Sequence, residues 1–232
     1  MASVLRERGR KGKCTCGRQV TLCPVWGSLL ASTETLDGMT HERLARALVA
    51  QDGGAHAVLV DSSKTAWRSA AVPFRLAREV GQDFRLVHLV GDPRAVSWSA
   101  VKKSGRRGTR PLMPLRSGSA ALGWWIANLA CERFGRLYPD RYLRLRYEDL
   151  ACSPAETMRG LFAEILPGLE WRAEDIGGSD NRHQLYGNRT QSASLSLAEV
   201  REDTGWRRDM PDVYRSLVSA LTAPLRRRYG YD

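Results

Sequence analysis

"VHLVGDPRAVSWSA", residues 87–100, decides how this chain is read. Val87 to Val90 is an apolar, β-rich run that stops at Gly91-Asp92-Pro93. Asp92 suits an N-cap and Pro93 the first position of a helix, with Ser99 on its first turns. A strand that runs into a helix N-terminus offers unpaired N–H groups to an anion. The stretch therefore predicts a strand over 84–90, a helix after it, and an anion at the junction. Gly91, just before the turn, brings no charge of its own.

Further strands and helices extend the pattern on both sides. AHAVLVD (55–61) reads as a short buried strand, because its length argues against a helix. RYLRLRYED (141–149) reads as a strand in which apolar and basic residues alternate. Helices are expected over 40–51 behind Thr40, over 65–80 with Pro73 as an interruption, and over 117–137. Ser153-Pro154-Ala155-Glu156 reads as a capping box, and Pro211 opens a last helix that ends in Arg226-Arg227-Arg228. Strands that alternate with helices imply βαβ units and an α/β fold with a mainly parallel sheet. Ligands of such sheets bind at the carboxyl ends of the strands. Those ends are Asp61–Lys64, Gly91–Arg94 and Tyr147–Asp149, three polar clusters on one rim. Residues 1–13 are basic and aperiodic, a disordered start, and 14–232 are expected to form a single domain.

Composition narrows the partners. Hydrophobic residues are 43% of 232, enough for a sizeable core. Lys and Arg outnumber Asp and Glu by 36 to 25, and the resulting net charge of +11 favours an anionic partner. No apolar run reaches the roughly 18 residues of a membrane span. The first 20 residues hold no hydrophobic segment, and the five cysteines are an odd number, so a cytoplasmic protein is expected. The loop KKSGRRGTR (102–110) has five basic residues and no acid, but no interleaved aromatics, so nucleic acid is not the expected partner.

Five stretches, in order, resemble the sulfotransferases that use 3′-phosphoadenosine 5′-phosphosulfate (PAPS), especially their bacterial branch. They are C-x-C-G…C-P-x-W at Cys14–Trp26, D-S-S-K at Asp61–Lys64, D-P-R-A-V…S at Asp92–Ser99, Y-E-D-L at Tyr147–Leu150, and H-x-x-x-G-N at His183–Asn188 with Trp206-Arg207 after it. The resemblance implies a three-layer α/β/α sandwich related to P-loop NTPases. It also implies transfer of a sulfuryl group from PAPS to a hydroxyl or amine of a small-molecule or carbohydrate acceptor. Ser99 then binds the 3′-phosphate, Lys64 lies beside the sulfuryl group, and Tyr147 lies near the adenine. Asn188 belongs to the segment near the cofactor, and Arg189 or Arg201 supplies phosphate charge. His183 is the candidate general base, whereas His88, inside a strand, is a core histidine. Cys14, Cys16 and Cys23 offer three thiolates to zinc with His41 as a fourth ligand. C-x-C followed by a single Cys matches standard spacings poorly, so no metal is expected.

Two departures qualify the resemblance. Family members read R-D-P-R, and the first Arg pairs with the 3′-phosphate; here that residue is Gly91. A charge-assisted hydrogen bond contributes roughly 1.5–3 kcal/mol. Its loss weakens the cofactor by about one to two orders of magnitude unless Arg94, Arg189 or Arg201 substitutes. Relatives also place a strand and a G-x-x-R-S-G-[ST]-[ST] loop before Cys14, and residues 1–13 match neither. The N-terminal strand and 5′-phosphosulfate loop therefore read as missing, which would impair transfer. The rival reading is a non-catalytic relative that binds nucleotide or a polyanion, a sulfated glycan or nucleic acid, through its basic surface.

Overall fold

The computed structural model describes residues 12–14, 16–31, 43, 46, 47, 50, 58, 60, 70–105, 113–172, 183 and 200–232. The chain, read from sequence as one domain over 14–232, divides into two compact units, and each is described by itself. The first unit comprises Met1–Ser62, Arg78–Gly81 and Trp171–Glu199. An antiparallel bridge joins Lys13 to Gln19. A 3₁₀ turn over Val20–Leu22 and a short helix, α1 (Trp26–Ala31), follow. Residues 43, 46, 47 and 50 are helical, in line with the helix expected over 40–51. Of the strand expected over 55–61, only Val58 and Val60 are described. Neither is in a strand, and both are exposed. An apolar run makes a strand only when a neighbouring strand takes up its N–H and C=O groups.

The second unit comprises Ser63–Ala77, Gln82–Glu170 and Val200–Asp232. A helix, α2 (Val72–Val80), leads into it with Pro73 in its first turn. Proline is tolerated there because that N–H has no helical partner, so Pro73 starts the helix instead of interrupting it. Strand β1 (Leu86–Val90) follows. Then come α3 (Pro93–Gly105) and α4 (Met113–Leu137), and strand β2 (Tyr142–Arg146) returns parallel to β1. The helix α3 takes in Lys102–Gly105 of the expected basic loop, and residues 106–112 lie outside the described ones. After β2 come α5 (Tyr147–Cys152), α6 (Pro154–Ile165), α7 (Gly205–Asp209) and α8 (Asp212–Arg228). Ser153 precedes α6, but its side chain makes no capping hydrogen bond, so the expected capping box does not form.

Helices cover the β1 face that carries His88 and Val90. Val90 packs with Trp124 of α4, Leu225 of α8, Tyr229 and Tyr231. A second cluster joins Trp98 and Val101 of α3 to Ala121, Trp206, Met210 and Val218. Phe134 is fully buried, with its ring against those of Phe74, Phe84 and Tyr138. On the opposite β1 face Val87 and Leu89 are 40% and 50% exposed. The parallel sheet makes the fold α/β, but among the described residues it has two strands, and α4 and α8 pack on the face that carries Val90.

His88 is a core histidine, as its strand position implied. The phenol of Tyr142 lies 2.7 Å from Nδ1, and Asn128 Oδ1 lies 2.7 Å from Nε2. A neutral imidazole satisfies both partners when Tyr142 donates and Nε2–H donates to Asn128. Burial is the main cause that lowers the His88 pKa, opposed by the Asn128 hydrogen bond. Below about pH 6.5 the unfolded chain gains a proton that the folded chain does not, so stability must fall with pH through that window. Urea unfolding between about pH 8 and pH 5.5 should show this loss, and His88→Gln should flatten it. Parallel pH profiles for the two proteins would remove His88 as its source.

Candidate functional site

The register aligns Val90 with Arg146, so β1 and β2 end at one edge. Each strand then runs into a helix. Tyr147, Glu148 and Asp149, expected in a strand over 141–149, are the first turn of α5. The strand stops where its partner stops, and two acidic residues suit a helix N-terminus.

The anion at the β1–α3 junction is the chain's own. The Arg94 N–H donates to Asp92 Oδ1 at 2.8 Å, and the Val96 N–H to the Asp92 carbonyl at 3.0 Å. The Asp92 N–H donates to Glu148 Oε1 at 3.1 Å. The Tyr231 phenol lies 2.5 Å from Glu148 Oε2 and 3.2 Å from the Val90 carbonyl. Burial, with the Glu148 hydrogen bond second, pushes the Tyr231 pKa well up, so the phenol keeps its proton and donates. These carboxylates occupy donors that the sequence had assigned to an external anion.

Arg94 belongs to the same closure. Its Nε and Nη2 hold both Asp92 oxygens at 2.7–3.1 Å, and Nη2 also donates to the Asp232 carbonyl at 2.9 Å. The guanidinium lies 4.9 Å over the Trp206 ring. Arg94 was expected to replace the missing phosphate-binding arginine, but this geometry spends its fork inside the protein. Glu148 reads from sequence as a residue that orients a turn, and it does so here. Sequence reasoning missed Tyr231 and Asp232, because nothing local ties residues 231–232 to residue 92.

A different patch gathers the other expected positions of this unit. A Cβ at Gly91 would lie 3.7 Å from Tyr147 Cβ and 3.7 Å from Val96 Cγ2, ordinary contacts that leave the position open to a side chain. Val96 and Ser99 are three residues apart on α3 and share a face. A side chain at 91 would therefore start between Tyr147 and Val96. The Tyr147 phenol donates to the Arg201 carbonyl at 3.1 Å, and the Arg201 side chain is exposed. Position 91 thus adjoins Tyr147, and Tyr147 is joined to the Arg201 backbone. Ser99 lies six residues, about 9 Å of helix, beyond Pro93. It lies beyond the first-turn N–H groups. Nearby, Arg144, Arg146, Arg228 and Asp149 line a concavity of about 260 Å³.

Lys64, Asn188 and Arg189 lie outside the described residues. His183 is described, in the first unit, and its surroundings differ from those of a free base. Its Nδ1 lies 3.2 Å from Cys23 Sγ and 3.8 Å from Cys14 Sγ, and its carbonyl accepts the Trp26 indole N–H at 2.8 Å. Burial pushes the Cys14 thiol up to about 11, whereas a backbone hydrogen bond from Arg18 chiefly lowers Cys16. His41, expected beside these cysteines, lies outside the described residues.

Comparison with known proteins finds no matching family model, no matching curated protein and no matching solved structure. Among the described residues no helix is long and apolar enough to cross a membrane.

The closure at the junction makes Asp92 a stability residue. Asp92 and Arg94 side chains are 9% and 15% exposed. Asp92→Ala removes a helix cap and leaves a part-buried guanidinium unpaired, a loss of about 3 kcal/mol. Asp92→Asn keeps a cap acceptor and should lose less. Urea unfolding measures both, and an Asp92→Ala loss under about 0.5 kcal/mol would show the closure to be marginal.

Proposed function

We propose that the chain is a PAPS-dependent sulfotransferase whose nucleotide site includes the patch of Gly91, Ser99, Tyr147 and Arg201. The finer architecture proposed with it is the three-layer α/β/α sandwich of that family. The observation that supports the reading is that a Cβ at Gly91 would lie beside Tyr147 and beside Val96, three residues before Ser99 on α3. Position 91 and Tyr147, from two successive strand-to-helix turns, are neighbours, and Tyr147 is bonded to the segment before α7.

In this reading Ser99 donates its hydroxyl to the 3′-phosphate. The exposed Arg201 supplies charge that position 91 lacks, and the Tyr147 ring offers a face to the adenine. The acceptor oxygen or nitrogen attacks sulfur in line, the bond from sulfur to the bridging oxygen breaks, and 3′-phosphoadenosine 5′-phosphate leaves. Charge builds on the bridging oxygen as that bond breaks, and Lys64 is the proposed cation beside it. Arg94 has no part in it, because Asp92 and Asp232 hold its guanidinium.

A second reading has a specific observation behind it. The arginine-lined concavity beside β2 suits a non-catalytic protein that holds a polyanion. Calorimetric titration with 3′-phosphoadenosine 5′-phosphate, with AMP as control, separates the two. The site proposed here should prefer the 3′-phosphorylated ligand. Ser99→Ala should weaken it, and Gly91→Arg should strengthen it by about ten- to a hundredfold, the value of one charge-assisted hydrogen bond. Folded protein that ignores the 3′-phosphate, with or without Gly91→Arg, overturns the assignment. Steeply salt-dependent binding of any polyanion would then favour the second reading.

A further inference from the structure

We infer that Cys14, Cys16, Cys23 and His183 form a structural zinc site in the first unit. Their four donor atoms, three sulfurs and one imidazole nitrogen, all lie within 4.8 Å of one another. This inference is independent of the sulfotransferase reading and involves none of its patch residues.

The distances fit a tetrahedral ion. Zn–S bonds of about 2.3 Å and Zn–N bonds of about 2.05 Å place two sulfurs about 3.8 Å apart, and sulfur and nitrogen about 3.6 Å apart. Cys14 and Cys23 sulfurs are 3.6 Å apart, and His183 Nδ1 lies 3.2 and 3.8 Å from them. A disulfide needs about 2.05 Å, so the sulfurs sit at the separation of ligands that share a metal. Three thiolates and an imidazole are a donor set that selects zinc over the harder divalent ions. Four protein ligands close the coordination sphere, which makes the site structural and leaves no open position for catalysis.

The local fold presents these atoms. The Cys14 N–H donates to the Arg18 carbonyl at 2.9 Å, and the Gly17 N–H to the Cys14 carbonyl at 2.9 Å. Gly17 takes φ +82°, a conformation that suits glycine and turns the chain between Cys14 and Gln19. Cys23 closes the 3₁₀ turn over Val20–Leu22. The Trp26 indole, through the His183 carbonyl, fixes the backbone that carries the imidazole. Cys14 and Cys23 are themselves two of the four buried apolar side chains described in this unit, beside Val20 and Leu29. A metal here would join residues 160 positions apart in sequence, Cys23 and His183, and so tie distant chain segments together.

Sequence spacing argued against a metal because it offered His41 and an irregular C-x-C pattern. The fourth donor is instead His183, the residue expected to act as base. An imidazole whose Nδ1 binds a metal has surrendered that lone pair.

The full chain, purified under reducing conditions with zinc supplied, should carry one zinc per molecule by elemental analysis and native mass spectrometry. Cobalt exchanged for zinc should give tetrahedral d–d bands and thiolate-to-cobalt charge transfer. His183→Cys should keep one metal and raise that charge transfer by about one third, as four thiolates replace three. Cys23→Ser and His183→Ala should weaken the metal by more than about a hundredfold, beyond the effect of an outer-shell change. Cys131→Ser and Cys152→Ser, outside the cluster, should leave it unchanged. Folded protein without stoichiometric zinc, a Cys14–Cys23 disulfide in its place, or a cobalt spectrum indifferent to His183→Cys would each overturn the inference.

Discussion

The parallel pairing of Val90 with Arg146 is the constraint on which the second unit depends. It fixes two strand-to-helix turns at one edge. Everything polar at that edge then follows from a single requirement: the N–H groups at the start of α3 must find acceptors. Asp92 serves as its own cap, and Glu148 arrives from the other turn because the register puts β2's exit beside β1's exit. Tyr231 and Arg94 then partner those carboxylates. One register thus organises a network in which each buried charge has a partner, the condition under which buried charges are tolerable.

That closure changes what the opening stretch means. A Gly-Asp-Pro turn between a strand and a helix is an anion site only while its donors are free. Here Asp92 and Glu148 accept from the Arg94 and Asp92 N–H groups, and Ser99 lies about 1.7 turns beyond Pro93 along α3. A Cβ at 91 would have room beside Tyr147 and Val96, but glycine puts nothing there. Tyr147, beside position 91, donates to the Arg201 carbonyl, and the Arg201 side chain is exposed.

The sequence made the local features legible and hid those that depend on distant residues. The 84–90 strand, the 117–137 helix and the helix after Pro93 are all present, because apolar periodicity and caps act within one turn. Tyr147 was misplaced, since its basic-apolar alternation continues past the point where β1 stops supporting a strand. Arg94 looked available because a guanidinium two residues from a carboxylate reads equally as a partner or a ligand site. Tyr231 and Asp232 gave no signal at all, and neither did His183 as a thiol partner. Spacing rules cover ligands that lie near one another in the chain.

His183 shows how a motif can be right about position and silent about role. A histidine in a polar stretch before Gly187-Asn188 suggests proton transfer. Beside three sulfurs the same ring has another use. Its Nδ1 lone pair faces Cys14 and Cys23, and the backbone that carries it hangs from Trp26. Cys14–Trp26 and His183 therefore form one physical unit, although they entered the reading as two separate motifs. Two of the four apolar side chains described as buried in this unit are thiols of that cluster. A structural zinc in small domains contributes apparent binding free energies of about 10–16 kcal/mol. On the zinc inference the cysteines and the histidine serve folding, because a closed set of four ligands leaves no open position for a reaction.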